Sequence, residues 1–345
     1  MKRIFILLLT LVLFLAACAP EPTDTPPATL PATEEIPVTP TEEPLPEGAI
    51  LINDALGREV ILPATPQRII ITGKGLIMVA DAVYAFPGTV DKIIGLGNAT
   101  QGAVNFLQML DPGFTEKATL TNEATAEQIA ALSPDLLILK SSVAARMGSS
   151  LDELGIPVVY VDFETPDQYA RDLAILGQIF ENEARANELI AFYQDTVDEI
   201  STTVAEAAKP RVLILYYSEK DGTIAFNVPP LGWMQTLLVE MAGGEPAWKE
   251  AVLGYNWTTV TLEQIAAWDA DKIFIVSYAQ DPSAIVATLK ADPTWQELRA
   301  VQTDELYGFA GDIYSWDQPD PRWILGLSWL ASRLHPALFP SYDGA

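Results

Sequence analysis

Short runs of apolar, mostly β-branched residues alternate along the chain with segments of helical period. The runs are Arg68–Thr72, Lys92–Leu96, Leu136–Leu139, Pro157–Val161, Arg211–Tyr217 and Lys272–Val276. Buried strands alternating with helices predict an α/β fold with mostly parallel sheets. One unit occurs twice. Ala124–Ser141 and Val260–Ser277 align without gaps at an offset of 136 residues, with Thr, Glu, Gln, Ile, Ala, Ala, Asp and Ser coincident. Each copy reads as a helix with Thr at its N-cap and Gln three residues on, leading into a buried strand. This duplication predicts two lobes rather than one large sheet.

Between the copies the period lengthens. Thr165-Pro166-Asp167-Gln168 predicts a helix start: Thr as N-cap, Pro at the first helical position and Gln reaching back to the N-cap amide. From Glu183 to Ala208, Ala186, Leu189, Ile190, Tyr193, Val197, Ile200 and Val204 recur at steps of three and four. A helix of about 25 residues, some 37 Å long, can act as a stiff connector.

The amino terminus follows other rules. Lys2 and Arg3 precede an apolar run, Ile4–Leu15, interrupted only by Thr10. The run is short for a membrane span of about 20 residues, so it reads as a signal peptide. Leu15-Ala16-Ala17-Cys18 resembles a bacterial lipobox, which makes Cys18 the expected lipidation site; the alternative is an ordinary secretory signal with an incidental Cys. Residues 19–48 hold nine Pro, six Thr, six Glu, one Asp and no Lys or Arg. Such a segment buries too little apolar surface to fold and is expected as an extended stalk. The expected organisation is therefore a signal at 1–18, a stalk at 19–48, a first lobe at 49–164, a helical linker at 165–208 and a second lobe at 209–345.

Composition narrows the chemistry. The 345 residues include 20 Lys and Arg against 46 Asp and Glu, a formal charge of −26, which argues against nucleic acid as a partner. One Cys and one His exclude a disulfide framework and a His/Cys-rich zinc site. His335, before Pro336, reads as a helix C-cap. Acid pairs such as Glu219/Asp221 or Asp317/Asp320 mean little in so acidic a chain, and no G-x-S-x-G elbow is present. An exported hydrolase is thus a weaker alternative to a binding protein.

The ends of the strands offer a binding surface, because ligands of parallel α/β lobes sit beyond the carboxyl ends of strands. The candidates are Lys74 in Thr72-Gly73-Lys74-Gly75, Arg146 after Ser141 and Ser142, and the aromatics Tyr217, Trp233, Trp257, Tyr278, Tyr314 and Trp316, with Tyr216 at the same strand end as Tyr217. Lysine and arginine suit anionic groups; aromatic rings give planar complexes a large contact area. Trp248, Trp268, Trp295 and Trp329 lie in helical patterns and read as core.

The chain also resembles a known family. Asn53-Asp54-Ala55-Leu56-Gly57-Arg58-Glu59-Val60, Pro66–Ile70, Glu127–Ile138, Leu154–Val158, Met241–Gly244 and Pro321–Gly326 are similar, in order and spacing, to landmarks of substrate-binding proteins of iron-complex and cobalamin ABC importers. The resemblance spans about Ala49 to Pro340. It implies a class III periplasmic-binding-protein fold: two α/β lobes with mostly parallel sheets joined by one long rigid helix, with a ligand between them. It implies no catalysis, no resident cofactor or bare metal, and a monomer held outside the cytoplasm by its lipid. A metal would arrive already chelated, as a siderophore, haem or corrinoid; a small oxyanion such as molybdate or tungstate is the alternative. The implied partners are the membrane, an ABC permease and its ATPase, or a signalling apparatus if the receptor senses. The family docks through acidic residues, but Ala145 and Arg146 stand where an acid is expected, leaving Asp152, Glu153 and Asp281 as neighbours.

Overall fold

The computed structural model describes residues 45–98, 105–121, 124–251 and 254–340. The signal, Cys18 and all but the last residues of the stalk lie outside them. A hairpin, β1 (Ile50–Asn53) and β2 (Glu59–Leu62), precedes the first lobe. That lobe contains β3 (Ile69–Ile71), α1 (Leu76–Tyr84), β4 (Ile93–Leu96), α2 (Phe106–Leu110), β5 (Ala118–Thr119), α3 (Ala126–Ala130), β6 (Leu136–Lys140), α4 (Ala144–Glu153) and β7 (Val158–Val161). Its sheet is parallel in the order β5-β4-β3-β6-β7. The chain enters at the central strand β3, winds outward to β5, then returns to β6 on the other side of β3. The order reverses between β3 and β6, where helices diverge and leave a crevice at the strand ends.

α5 (Pro166–Ile179) and α6 (Glu183–Val204) follow. Thr165 caps α5 as predicted, accepting from the Gln168 N–H at 3.4 Å, but the Gln168 side chain accepts from Glu164 N–H at 3.0 Å, one residue beyond the N-cap. α6 begins at the predicted residue and ends at Val204, four residues short, giving about 33 Å of helix. Ala186, Tyr193, Ile200 and Val204 form its buried stripe.

The second lobe contains β8 (Arg211–Lys220), β9 (Thr223–Val228), α7 (Met234–Met241), β10 (Glu245–Pro246), β11 (Thr258–Val260), α8 (Leu262–Trp268), β12 (Lys272–Val276), α9 (Pro282–Ala291), α10 (Arg299–Gln302), β13 (Leu306–Gly308) and α11 (Trp323–Leu334). Its sheet runs β11-β9-β8-β12-β13, with β10 also on β8. It is mixed: β8–β9 and β9–β11 are antiparallel, while β8–β12, β12–β13 and β8–β10 are parallel. The antiparallel part comes from Asp221-Gly222, both at positive φ (52° and 76°), which closes a two-residue hairpin.

The internal repeat is a structural repeat. Thr125 and Thr261 each form a capping box, with Gln128 and Gln264, at the heads of α3 and α8. The repeated aspartates do the same work. Asp135 accepts from Arg68 N–H at 2.8 Å and Asp271 from Arg211 N–H at 2.7 Å, each fixing the start of its lobe's central strand. The two arginines bond equivalent carbonyls at the ends of the repeated helices, Leu132 O at 2.7 Å and Trp268 O at 3.1 Å. The shared residues thus encode one helix–strand unit, used twice, whose aspartate clamps an arginine segment from outside the repeat in each lobe.

Trp248, Trp295 and Trp329 are buried, while Trp268 is half-buried against the core. Trp248 lies in a turn after β10 rather than in a helix, its indole N–H donating to Pro229 O at 2.9 Å. His335 is the C-cap of α11, its N–H bonding Ala331 O at 2.9 Å.

Candidate functional site

A cavity of about 720 Å³ opens between the two sheets, lined by residues of both lobes. On the first-lobe side Lys74 and Gly75 follow β3, Lys140 ends β6, and Ser142, Val143 and Arg146 begin the segment into α4. These are the two strand ends flanking the reversal in strand order. Gly75 stands at φ +72°, and a Cβ there would lie 3.1 Å from the Lys140 side chain, so the turn packs directly on that lysine. Met78 and Glu164 complete this wall. Lys140 is buried; its ammonium pairs with Glu164 and lies 3.3 Å from Met78 Sδ.

The second-lobe wall is aromatic. Trp233 and Trp257 meet edge to face at 5.7 Å between ring centroids; Tyr216 lies 5.1 Å from Trp257 and 4.8 Å from Tyr278. Behind the rings, Asp317 is buried and accepts from Tyr278 Oη at 2.8 Å and Gln235 Nε2 at 3.4 Å. Burial pushes the Asp317 carboxyl up to about 6, although Tyr278 and Gln235 favour its charged form. Burial and the Asp317 charge in turn raise the Tyr278 phenol, which stays a neutral donor.

The lobes are tied together below the cavity. Arg322, which precedes α11, contacts Asp81 of α1 at 2.5 Å and Asp320 at 2.7 Å, donates to Ile313 O at 2.6 Å and stacks over Phe106 at 3.6 Å. Tyr169 of α5 and Tyr193 of α6 donate to Pro319 O at 3.0 Å and Pro321 O at 2.7 Å. Tyr193 also stacks on Trp323 at 5.4 Å.

Five sequence-predicted residues, Lys74, Arg146, Trp233, Trp257 and Tyr278, line this one cavity. Tyr217 does not. It faces away from Tyr216 because successive strand residues point to opposite sides. It packs on Phe226 at 5.8 Å and lines a separate cavity of about 550 Å³ with Ile285 and Trp295. Tyr314 is exposed, and Trp316 packs between Tyr314 and the core residue Trp329, at 6.2 Å from each. Neither is among the residues that line the larger cavity. Sequence reasoning missed Lys140, Glu164 and Gln235; the available signal was Lys140, a cation closing an apolar strand. Among the described residues, no three His, Cys, Asp or Glu side chains group to hold a metal ion, and no helix is long and apolar enough to cross a membrane.

Two α/β lobes pinned by a long helical segment, with a cationic wall facing an aromatic one, define a bilobed solute-binding protein. A family profile described as periplasmic binding protein matches residues 79–312, and the chain belongs to that family. The molybdate-binding protein MolA of Haemophilus influenzae is 21% identical over 321 residues, covering 85% of this chain and 87% of that protein. The iron-uptake system-binding protein of Bacillus subtilis is 24% identical over 220 residues, covering 60% and 67%. A periplasmic solute binding protein from Veillonella parvula superposes with a TM-score of 0.71 at 25% identity, over 85% of this chain and 88% of that one.

Proposed function

We propose that the chain is the extracytoplasmic receptor of an ABC importer and captures a metal complex bearing anionic groups, of the ferric-chelate kind, for delivery to a permease. The observation that carries this reading is the opposition of walls: Lys74, Lys140 and Arg146 on one side, Trp233, Trp257 and Tyr278 on the other. Cations recognise carboxylates or other oxyanions; the rings cover the organic body of a chelate. A cavity of about 720 Å³ falls in the range of sites for drug-sized ligands. The iron-uptake relative supports the same class. In this reading the protein transforms nothing, acts as a monomer and is tethered by lipid on Cys18.

A second reading, a small oxyanion such as molybdate or tungstate, is favoured by the extent of the match to MolA. The three cations serve it equally; the aromatic wall does not. Titration of the protein's tryptophan fluorescence with ferric citrate, ferrichrome, haem, cobalamin, molybdate and tungstate separates the two. Saturable quenching by a ferric chelate at micromolar concentration supports the first. A response to molybdate or tungstate alone replaces it with the second, and silence to all six defeats both.

A further inference from the structure

Lys140 and Glu164 form an unequal pair. The Lys140 side chain is 5% exposed and cannot leave the cavity wall, whereas Glu164 is 53% exposed and keeps most of its hydration whether paired or not. A buried ammonium without a counter-charge is costly, so it needs an anion at all times. Glu164 is the sole acid among the residues lining the cavity.

Its placement is over-determined. Phe163, just before it, is fully buried at φ +53°, a conformation rarely adopted by bulky residues. The N–H groups of Asp162 and Phe163 both donate to Asp172 Oδ2, at 2.7 and 2.8 Å, and Arg171 bridges Asp162 and Asp172 at 2.6 and 2.7 Å. Ser141 bonds Asp162, and Glu164 N–H is held by Gln168. The backbone is thus fixed on both sides of Glu164 while its carboxylate reaches out over the end of the adjacent strand. Strain spent on aiming one hydrated acid at one buried cation needs a purpose beyond stability.

We propose that Glu164 is a displaceable stand-in for the ligand's anionic group: it neutralises Lys140 in the empty cleft and yields that cation to an incoming oxyanion or carboxylate. The inference rests on the anionic character of the ligand proposed above. Glu164 then lowers apparent affinity by the fraction of molecules in which it occupies the subsite, and sets a threshold against weakly held anions.

The full chain as wild type, Glu164→Gln and the double variant Glu164→Gln/Lys140→Met is titrated calorimetrically with ferric citrate, molybdate, sulfate and the uncharged ferrichrome, with thermal midpoints recorded in parallel. Glu164→Gln is expected to bind at least one anionic probe about three- to tenfold more tightly than wild type. Ferrichrome binding should be the same in both, and the gain should vanish in the double variant. Equal or weaker binding of every anion by Glu164→Gln overturns the proposal, as does an equal gain for ferrichrome. If ferric citrate and molybdate bind neither protein but sulfate stabilises Glu164→Gln more than wild type, displacement stands and the functional reading above fails.

Discussion

Arg322 of the second lobe and Asp81 of the first meet at 2.5 Å, with the Asp81 side chain almost sealed from water and that of Arg322 mostly buried. Asp320 holds the other edge of the guanidinium, so one cation serves two carboxylates. Burial and the neighbouring Asp320 charge hold the Asp81 carboxyl well above its usual range, with Arg322 opposing them. The three groups form a pin between the lobes whose cation cannot be removed alone. Arg322→Met leaves two buried acids facing each other and should cost about 3–5 kcal/mol in urea unfolding. Asp81→Asn should cost clearly less, because Asp320 still neutralises Arg322. Equal costs would mean that the pin is ordinary packing.

Asp317 provides a pH signature. Its folded pKa, about 6, lies above the ordinary carboxylate value, so the native state keeps a proton that the unfolded chain releases near pH 4. Between those values the unfolded state binds fewer protons, and stability falls as pH rises. The contribution is full below about pH 4, and its loss is complete above about pH 7. Asp317→Asn stays neutral throughout. Its stability relative to wild type should therefore increase by about 3 kcal/mol from pH 4 to pH 7.5, measured by urea titrations at each pH. A flat difference would place Asp317 in a wetter setting than the structure does.

The adjacent tyrosines of β8 face opposite sides of the sheet. Tyr216 touches Trp257 and Tyr278, whereas Tyr217 packs on Phe226 behind the sheet. Trp257→Ala should weaken ligand binding by about 1–3 kcal/mol, as loss of an aromatic anchor does. Tyr217→Phe removes only a hydroxyl that reaches Glu219 at 3.4 Å and should leave affinity unchanged. Fluorescence titration with whichever probe saturates the wild type gives both numbers. Loss of affinity in Tyr217→Phe would transfer the site to the other cavity.

This pair also shows where reading a sequence stops. The capped helices at Thr125 and Thr261 were legible because a capping box is local chemistry. The parity of β8 was not: Val212 to Leu215 are all buried, so no polar–apolar alternation distinguishes Tyr216 from Tyr217. The β9 hairpin had its signal in Asp221-Gly222. Lys140 directly follows the apolar run Leu136–Leu139; that it lies buried against Glu164 depends on a turn 24 residues away. Trp316 lies in a loop by its sequence, and only the tertiary fold turns it toward Trp329.

Gly326 tests whether α11 positions the loop that carries Asp317. By helix propensity alone, alanine within α11 should stabilise by up to about 1 kcal/mol. A Cβ at Gly326, however, would lie 1.9 Å from the Trp316 carbonyl oxygen and 2.7 Å from its carbon. These are backbone atoms in a loop anchored by Trp316 on Trp329 and by Asp317 on Tyr278, so they cannot swing aside as a side chain would. Gly326→Ala should therefore destabilise by about 2–4 kcal/mol despite its better propensity. It should also weaken ligand binding, because displacing Trp316 moves Asp317 and the phenol it holds. Gly311→Ala in the same loop, where a Cβ meets nothing within 4 Å, should stay within about 0.5 kcal/mol of wild type. A neutral or stabilising Gly326→Ala, by thermal unfolding and ligand titration, would mean that loop and helix are not packed against each other as described.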